Sequence, residues 1–118
     1  MLYEIKNAKK FDKGTPIKWF SDDYFDLAVW FHDDGRIKAF QLCYDNFNDP
    51  HALTWKEEKG FVHDRIDDGE TRDHHKMTPI LVADGDFPRE KISKKFFESS
   101  REIDPGIGDF VYQKISSF

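Results

Sequence analysis

The sequence predicts an α+β domain: an antiparallel meander of about five strands, followed by two C-terminal helices packed on one face of the sheet. Three observations carry this expectation. Two β-rich runs flank an Asp-Gly dipeptide at residues 34–35, two further runs follow at short loop spacing, and after Asp84-Gly85 the apolar period changes from two to about three and a half.

The first run is Tyr24-Phe-Asp-Leu-Ala-Val-Trp-Phe-His32 and the second Ile37-Lys-Ala-Phe-Gln-Leu-Cys-Tyr44. A type I′ turn at Asp34-Gly35 is expected, and it pairs Phe31 with Lys38, Val29 with Phe40, Leu27 with Leu42 and Phe25 with Tyr44. That face reads as core. Because strand side chains alternate, the opposite face carries Asp26 beside Cys43, Ala28 beside Gln41, and Trp30 beside Ala39.

A loop over residues 45–50 leads to a third alternating run, His51-Ala-Leu-Thr-Trp-Lys-Glu57. Setting Leu53 against Leu42 places Trp55 on Phe40 and Glu57 on Lys38, which matches packing and charge together. A two-residue turn at Lys59-Gly60 would return Phe61-Val-His-Asp-Arg-Ile66 with His63 beside Lys56 and Arg65 beside Thr54. His63 and Arg65 would then join Gln41 and Cys43 on the non-core face.

Residues 67–76, Asp-Asp-Gly-Glu-Thr-Arg-Asp-His-His-Lys, hold no apolar side chain and read as a solvated loop. Met77-Thr-Pro-Ile-Leu-Val-Ala83 is a fifth strand with Pro79 at its start or on an edge. Asp86 and Pro88 open a helix whose stripe is Ile92, Phe96 and Phe97. Asp104-Pro105 opens a second, with Ile107, Phe110, Val111 and Ile115 at helical spacing. Leu2 to Ile5 and Ile17 to Phe20 read as short strands. The expected core is Leu27, Val29, Phe40, Leu42, Leu53, Ile80, Phe96, Phe110 and Val111.

The chain has 118 residues, 38% of them hydrophobic, with 12 Phe, 3 Trp and 4 Tyr. That length suits one domain spanning 1–118, and bulky aromatics supply its core despite 35% charged residues. No apolar run reaches the roughly 18–20 residues of a membrane span, and the start lacks a signal-peptide stretch, so a cytoplasmic protein is expected. The single cysteine, Cys43, excludes an internal disulfide and fits a reducing compartment. The net charge of −5 argues against a general nucleic-acid or membrane-surface binder. Residues 1–20 nevertheless carry five lysines, net +3, while residues 21–50 carry net −5. Lys6, Lys9, Lys10, Lys13 and Lys18, with Phe11 and Trp19 for stacking, therefore give a subsidiary nucleic-acid reading.

The stretch Trp19–Pro88 contains Phe25-Asp-Leu, Val29-Trp30, Phe40-Gln-Leu-Cys-Tyr-Asp45, Ala52-Leu-Thr-Trp55, Asp67-Asp-Gly-Glu70 and Lys76-Met-Thr-Pro-Ile-Leu-Val82. Through these it resembles a family of small uncharacterised bacterial proteins, conserved hypotheticals with no known activity. The resemblance implies a bacterial source and brings no catalytic residue or cofactor.

Walker, G-x-S-x-G, G-x-G-x-x-G and H-E-x-x-H patterns are absent. His74-His75 with Asp73 lacks the spacing of a metal motif, and Asp67-Asp68-Gly69-Glu70 lacks the twelve-residue calcium-loop pattern, so no metal or cofactor is expected. Cys43 is a nucleophile only if a cation such as His63 or Arg65 stabilises its thiolate. Asp26 opposite it acts the other way, and a small packing residue is the competing reading.

What remains is a surface. Asp26, Trp30, Gln41, Cys43, Thr54, Lys56, His63 and Arg65 would share one sheet face, offering an aromatic wall and polar groups. The expected ligand contacts are Trp30, Gln41, Cys43, His63 and Arg65. The function read from them is non-enzymatic binding of a protein partner or a small polar or anionic ligand. An ordinary solvent-facing sheet side, or a face covered by a second copy of the chain, is the competing account. A metal-assisted hydrolase using His63, Asp64 and the acidic residues Asp67 and Asp68 is the enzyme alternative.

Overall fold

The computed structural model describes residues 1–45, 48–67, 80–83 and 87–118, with residues 65–67 and 80–83 described by their backbone alone. The strands are β1 (Tyr3–Glu4), β2 (Phe11–Asp12), β3 (Thr15–Ser21), β4 (Phe25–Phe31), β5 (Ile37–Tyr44), β6 (His51–Lys56), β7 (Gly60–Asp67) and β8 (Ile80–Ala83). Two helices close the chain, α1 (Arg89–Ser99) and α2 (Pro105–Ser116). All pairings are antiparallel in the order β1-β3-β4-β5-β6-β7-β8, with β2 also paired to β3. The α+β meander is therefore the fold; β1 and β3 lie where the short strands at Leu2 to Ile5 and Ile17 to Phe20 were expected, and β2 is an addition.

The central register follows the hydrophobic pattern. Phe25 pairs with Tyr44, Leu27 with Leu42 and Val29 with Phe40, and across the next pair Leu42 meets Leu53 and Phe40 meets Trp55. These residues line one face, because a slip by one position would turn every one of them to the other side. Near the β4–β5 turn the expectation fails by one residue: Phe31 pairs with Ile37, not Lys38. The cause is the turn. Gly35 alone has positive φ, at 93°, and Gly35 N–H donates to the His32 carbonyl while His32 N–H donates to that of Arg36. This is a three-residue loop with a glycine bulge in place of the expected type I′ turn. The Asp34 carboxylate fastens it by accepting from the Arg36 backbone N–H at 3.0 Å and from its Nε at 2.9 Å.

The two-residue type I′ geometry occurs elsewhere. Lys13 and Gly14 have φ of 53° and 85° between Asp12 and Thr15, which pair. They turn β2 into β3.

The helices cover the face bearing Leu27, Leu42 and Leu53. Ile92, Phe96, Ile107, Val111 and Ile115 join those leucines in one buried cluster, and Phe96 meets Phe25 edge-on at 5.8 Å. Asp104 caps α2 by accepting from Gly106 N–H at 2.9 Å, and Pro105 occupies its first turn, as expected. The cap expected at Asp86 lies outside the described residues. Phe97, expected on the buried stripe of α1, is 57% exposed and packs on Tyr112 at 5.3 Å, while Phe110 is half-buried against Trp55 at 5.3 Å. The remaining expected core residues are buried, except Ile80, whose side chain is not described. The acidic loop expected over residues 67–76 lies outside the described residues from Asp68 onward, as do residues 77–79. Among the described residues no helix is long and apolar enough to cross a membrane.

Candidate functional site: a groove on the helix-free sheet face

The β6–β7 turn decides which side chains reach the open face. Gly60 has φ of 82° and pairs with Lys56, and Lys59 N–H donates to the Lys56 carbonyl, so the loop is Glu57-Glu58-Lys59. It has three residues where two were expected. The pairing therefore shifts by three positions, an odd number, and exchanges the faces of β7. Val62 stands beside Thr54 and Asp64 beside Ala52, while His63 stands beside Leu53.

Two of the five expected contact residues are thereby relocated. His63 is buried on the helix side, where its Nε2 and the Tyr44 hydroxyl share a hydrogen bond of 2.6 Å. Its ring stacks on Tyr44 and His51 at 6.0 and 5.6 Å and meets Phe87 edge-on at 5.3 Å. Arg65 pairs with His51 in place of Thr54, so its register position is not on the open face. Trp30, Gln41 and Cys43 keep their expected face.

Neighbouring residues of a strand point to opposite sides, so His63 and Asp64 cannot converge on one ion. Among the described residues no group of three potential ligands is placed to hold a metal. Asp68 to Glu70, the rest of that alternative, lie outside the described residues.

On the helix-free face is a groove of about 730 Å³. Trp30, Ala39, Gln41, Thr54, Val62 and Asp64 form its floor, Asp12, Lys13 and Thr15 of the β2–β3 hairpin one wall, and Glu58, Lys59 and Gly60 the far end. Lys38 and Lys56 complete the lining. Each element supplies its residue for a local reason. Trp30 is at the open-face position opposite the small Ala39, and both line the groove. Gln41 is anchored by donating from Nε2 to Thr54 Oγ1 at 3.0 Å across the β5–β6 pair. Asp12 Oδ2 accepts from Trp30 Nε1 at 3.0 Å, which holds the hairpin wall in place.

The lysines Lys13, Lys38, Lys56 and Lys59 form no ion pair with any described residue. Asp64 differs from them: it is 8% exposed, lines the groove, and has no hydrogen bond or ion pair among the described residues. Cys43 lies beyond the lining, next to Asp26 and Ala52. Burial, and secondarily the Asp26 charge, pushes its thiol up to about 11, so it is a protonated packing residue at neutral pH. In the lysine-rich N-terminal segment Phe11 is exposed, whereas the Trp19 indole N–H donates to the Lys9 carbonyl at 3.2 Å.

The hairpin wall is the part that sequence reasoning missed. Its signal was Lys13-Gly14, a weaker turn dipeptide than Asn-Gly or Asp-Gly. Asp64 and Lys13 were noticed only for other roles.

No family model matches the chain, and neither a curated protein nor a solved structure matches it. The groove and its chemistry are thus the basis for a functional reading.

Proposed function

We propose that this chain is a small, non-enzymatic cytoplasmic binding domain that takes a small polar ligand in the groove on the helix-free face of its sheet. The observation that carries this reading is the groove itself. Its volume of about 730 Å³ lies in the ordinary range of small-molecule sites, roughly 300–1,000 Å³, and its lining joins an aromatic wall to a few fixed polar groups. Trp30 supplies apolar area with a pinned ring, since its N–H is already bonded to Asp12. Gln41 and Thr54 hold one another in fixed orientation, which lowers the ordering cost of a polar contact. The lysines of the lining supply positive charge.

Amide NMR of the full chain, titrated with a panel of small carboxylates, amines and zwitterions, tests the proposal. Shift changes centred on residues 30, 41, 54 and 62 are expected. Changes confined to the helices, or none with any member, would sink it.

A further inference from the structure

The most informative group in the groove is Asp64. Asp64 is 8% exposed as a residue, and its carboxylate has no hydrogen bond or ion pair among the described residues. The groove is the space that it lines. A ligand group that meets it there must be a donor, since an ionised carboxylate only accepts. A cationic nitrogen satisfies both the charge and the hydrogen-bonding capacity.

The other end of the groove has the opposite character. Lys56 pairs with Gly60, four residues before Asp64 on the neighbouring strand, and the Thr54–Val62 pair lies between. Lys56 and Asp64 are thus separated by about 13 Å along the strands, less whatever the flexible lysine spans. Lys59 stands at the same turn and Lys13 on the hairpin wall, none of the three in an ion pair with a described residue. Glu58, the acid at this end, is exposed. Asp12 is already engaged by Trp30 and lies 3.9 Å from Lys9.

We infer that the groove takes a zwitterionic ligand whose ammonium group seats on Asp64 and whose carboxylate lies about 10 Å away among Lys56, Lys59 and Lys13, the end-to-end length of an extended tripeptide. This rests on the binding reading above and specifies its ligand class. The residues between the charges are chemically suited to a peptide: Thr54 and Gln41 offer polar groups to its backbone, while Val62, 50% exposed, and Trp30 offer apolar surface to its side chains. A divalent cation is a poorer occupant, because Asp64 is not joined by two further ligating side chains among the described residues.

The test uses the full chain and a mixed pool of tripeptides with free termini, compared with the same pool N-acetylated and the same pool C-amidated, read by amide NMR. The free pool should move the amides of Thr54, Lys56, Val62 and Asp64. Acetylation should weaken the effect at least tenfold, and so should Asp64→Asn. Amidation should weaken binding to the native chain, while a Lys56→Ala/Lys59→Ala double variant should bind the free and amidated pools alike. Without ligand, Asp64→Asn should unfold at the same or a higher denaturant midpoint, since Asp64 has no hydrogen bond or ion pair with a described residue to lose. Equal binding of the free and acetylated pools, or a lowered midpoint for Asp64→Asn, would overturn the inference. If succinate or another plain carboxylate moves the groove amides and the free tripeptides do not, the groove remains a binding site and the zwitterion assignment falls. If none of these probes moves them, both fall together.

Discussion

The carboxylate of Asp12 accepts a 3.0 Å hydrogen bond from the indole N–H of Trp30, residues 18 apart in sequence, and this contact fastens the β2–β3 hairpin to the open face of the sheet. The hairpin is a two-strand ribbon of two residues a side, too short to persist without a tether.

Replacing Asp12 with Ala is therefore expected to loosen the groove wall more than it unfolds the protein. The loss of a partly buried hydrogen bond to a charged acceptor should cost about 1–2 kcal/mol in chemical denaturation. Amide exchange should accelerate over residues 11–16 while the β4–β5 pair stays protected. Uniform acceleration across the sheet would contradict this tethering role.

Leu42 is fully buried between Leu27 and Leu53 beneath the helices. Leu42→Ala should lower stability by about 2–5 kcal/mol through lost transfer free energy and a residual cavity. An unchanged denaturation midpoint would place Leu42 outside the core.

Gly60 has φ of 82°, and nothing lies within 4 Å of where a Cβ would stand. Gly60→Ala should then cost about 1–2 kcal/mol through backbone strain alone, since crowding adds nothing. Because this turn sets which β7 residues face the groove, ligand-induced shifts at Val62 should also weaken. A neutral effect on stability would mean that the left-handed conformation is not held.

Cys43 should be nearly inert to alkylation at pH 8. With its thiol pushed from 9.0 to about 11, mainly by burial and then by Asp26, the thiolate is about a hundredfold scarcer there than in an ordinary cysteine. The sign for stability follows. Between about pH 9 and pH 11 the unfolded chain has lost this proton and the folded chain keeps it, so the contribution of Cys43 is full below pH 9 and is lost as pH rises through that window. Comparing the native chain with Cys43→Ala isolates it from the lysines and tyrosines that titrate nearby. Rapid modification at pH 7 would show an accessible thiolate instead.

The sequence by itself determined the element types and the register of the central strands. Period-two and helical apolar spacing are properties of consecutive residues, and matching Leu27, Leu42 and Leu53 leaves one low-energy alignment. Trp30, Gln41 and Cys43 were legible as open-face residues for the same reason. The tertiary structure alone decided the two features that build the groove. Whether Lys56 to Gly60 closes through two or three residues depends on backbone energies that no side-chain pattern records, yet that choice turned His63 inward to Tyr44 and brought Asp64 outward. Likewise the seating of β2 at the groove uses the contact of Asp12 with Trp30, residues whose proximity exists only once β3 and β4 have paired.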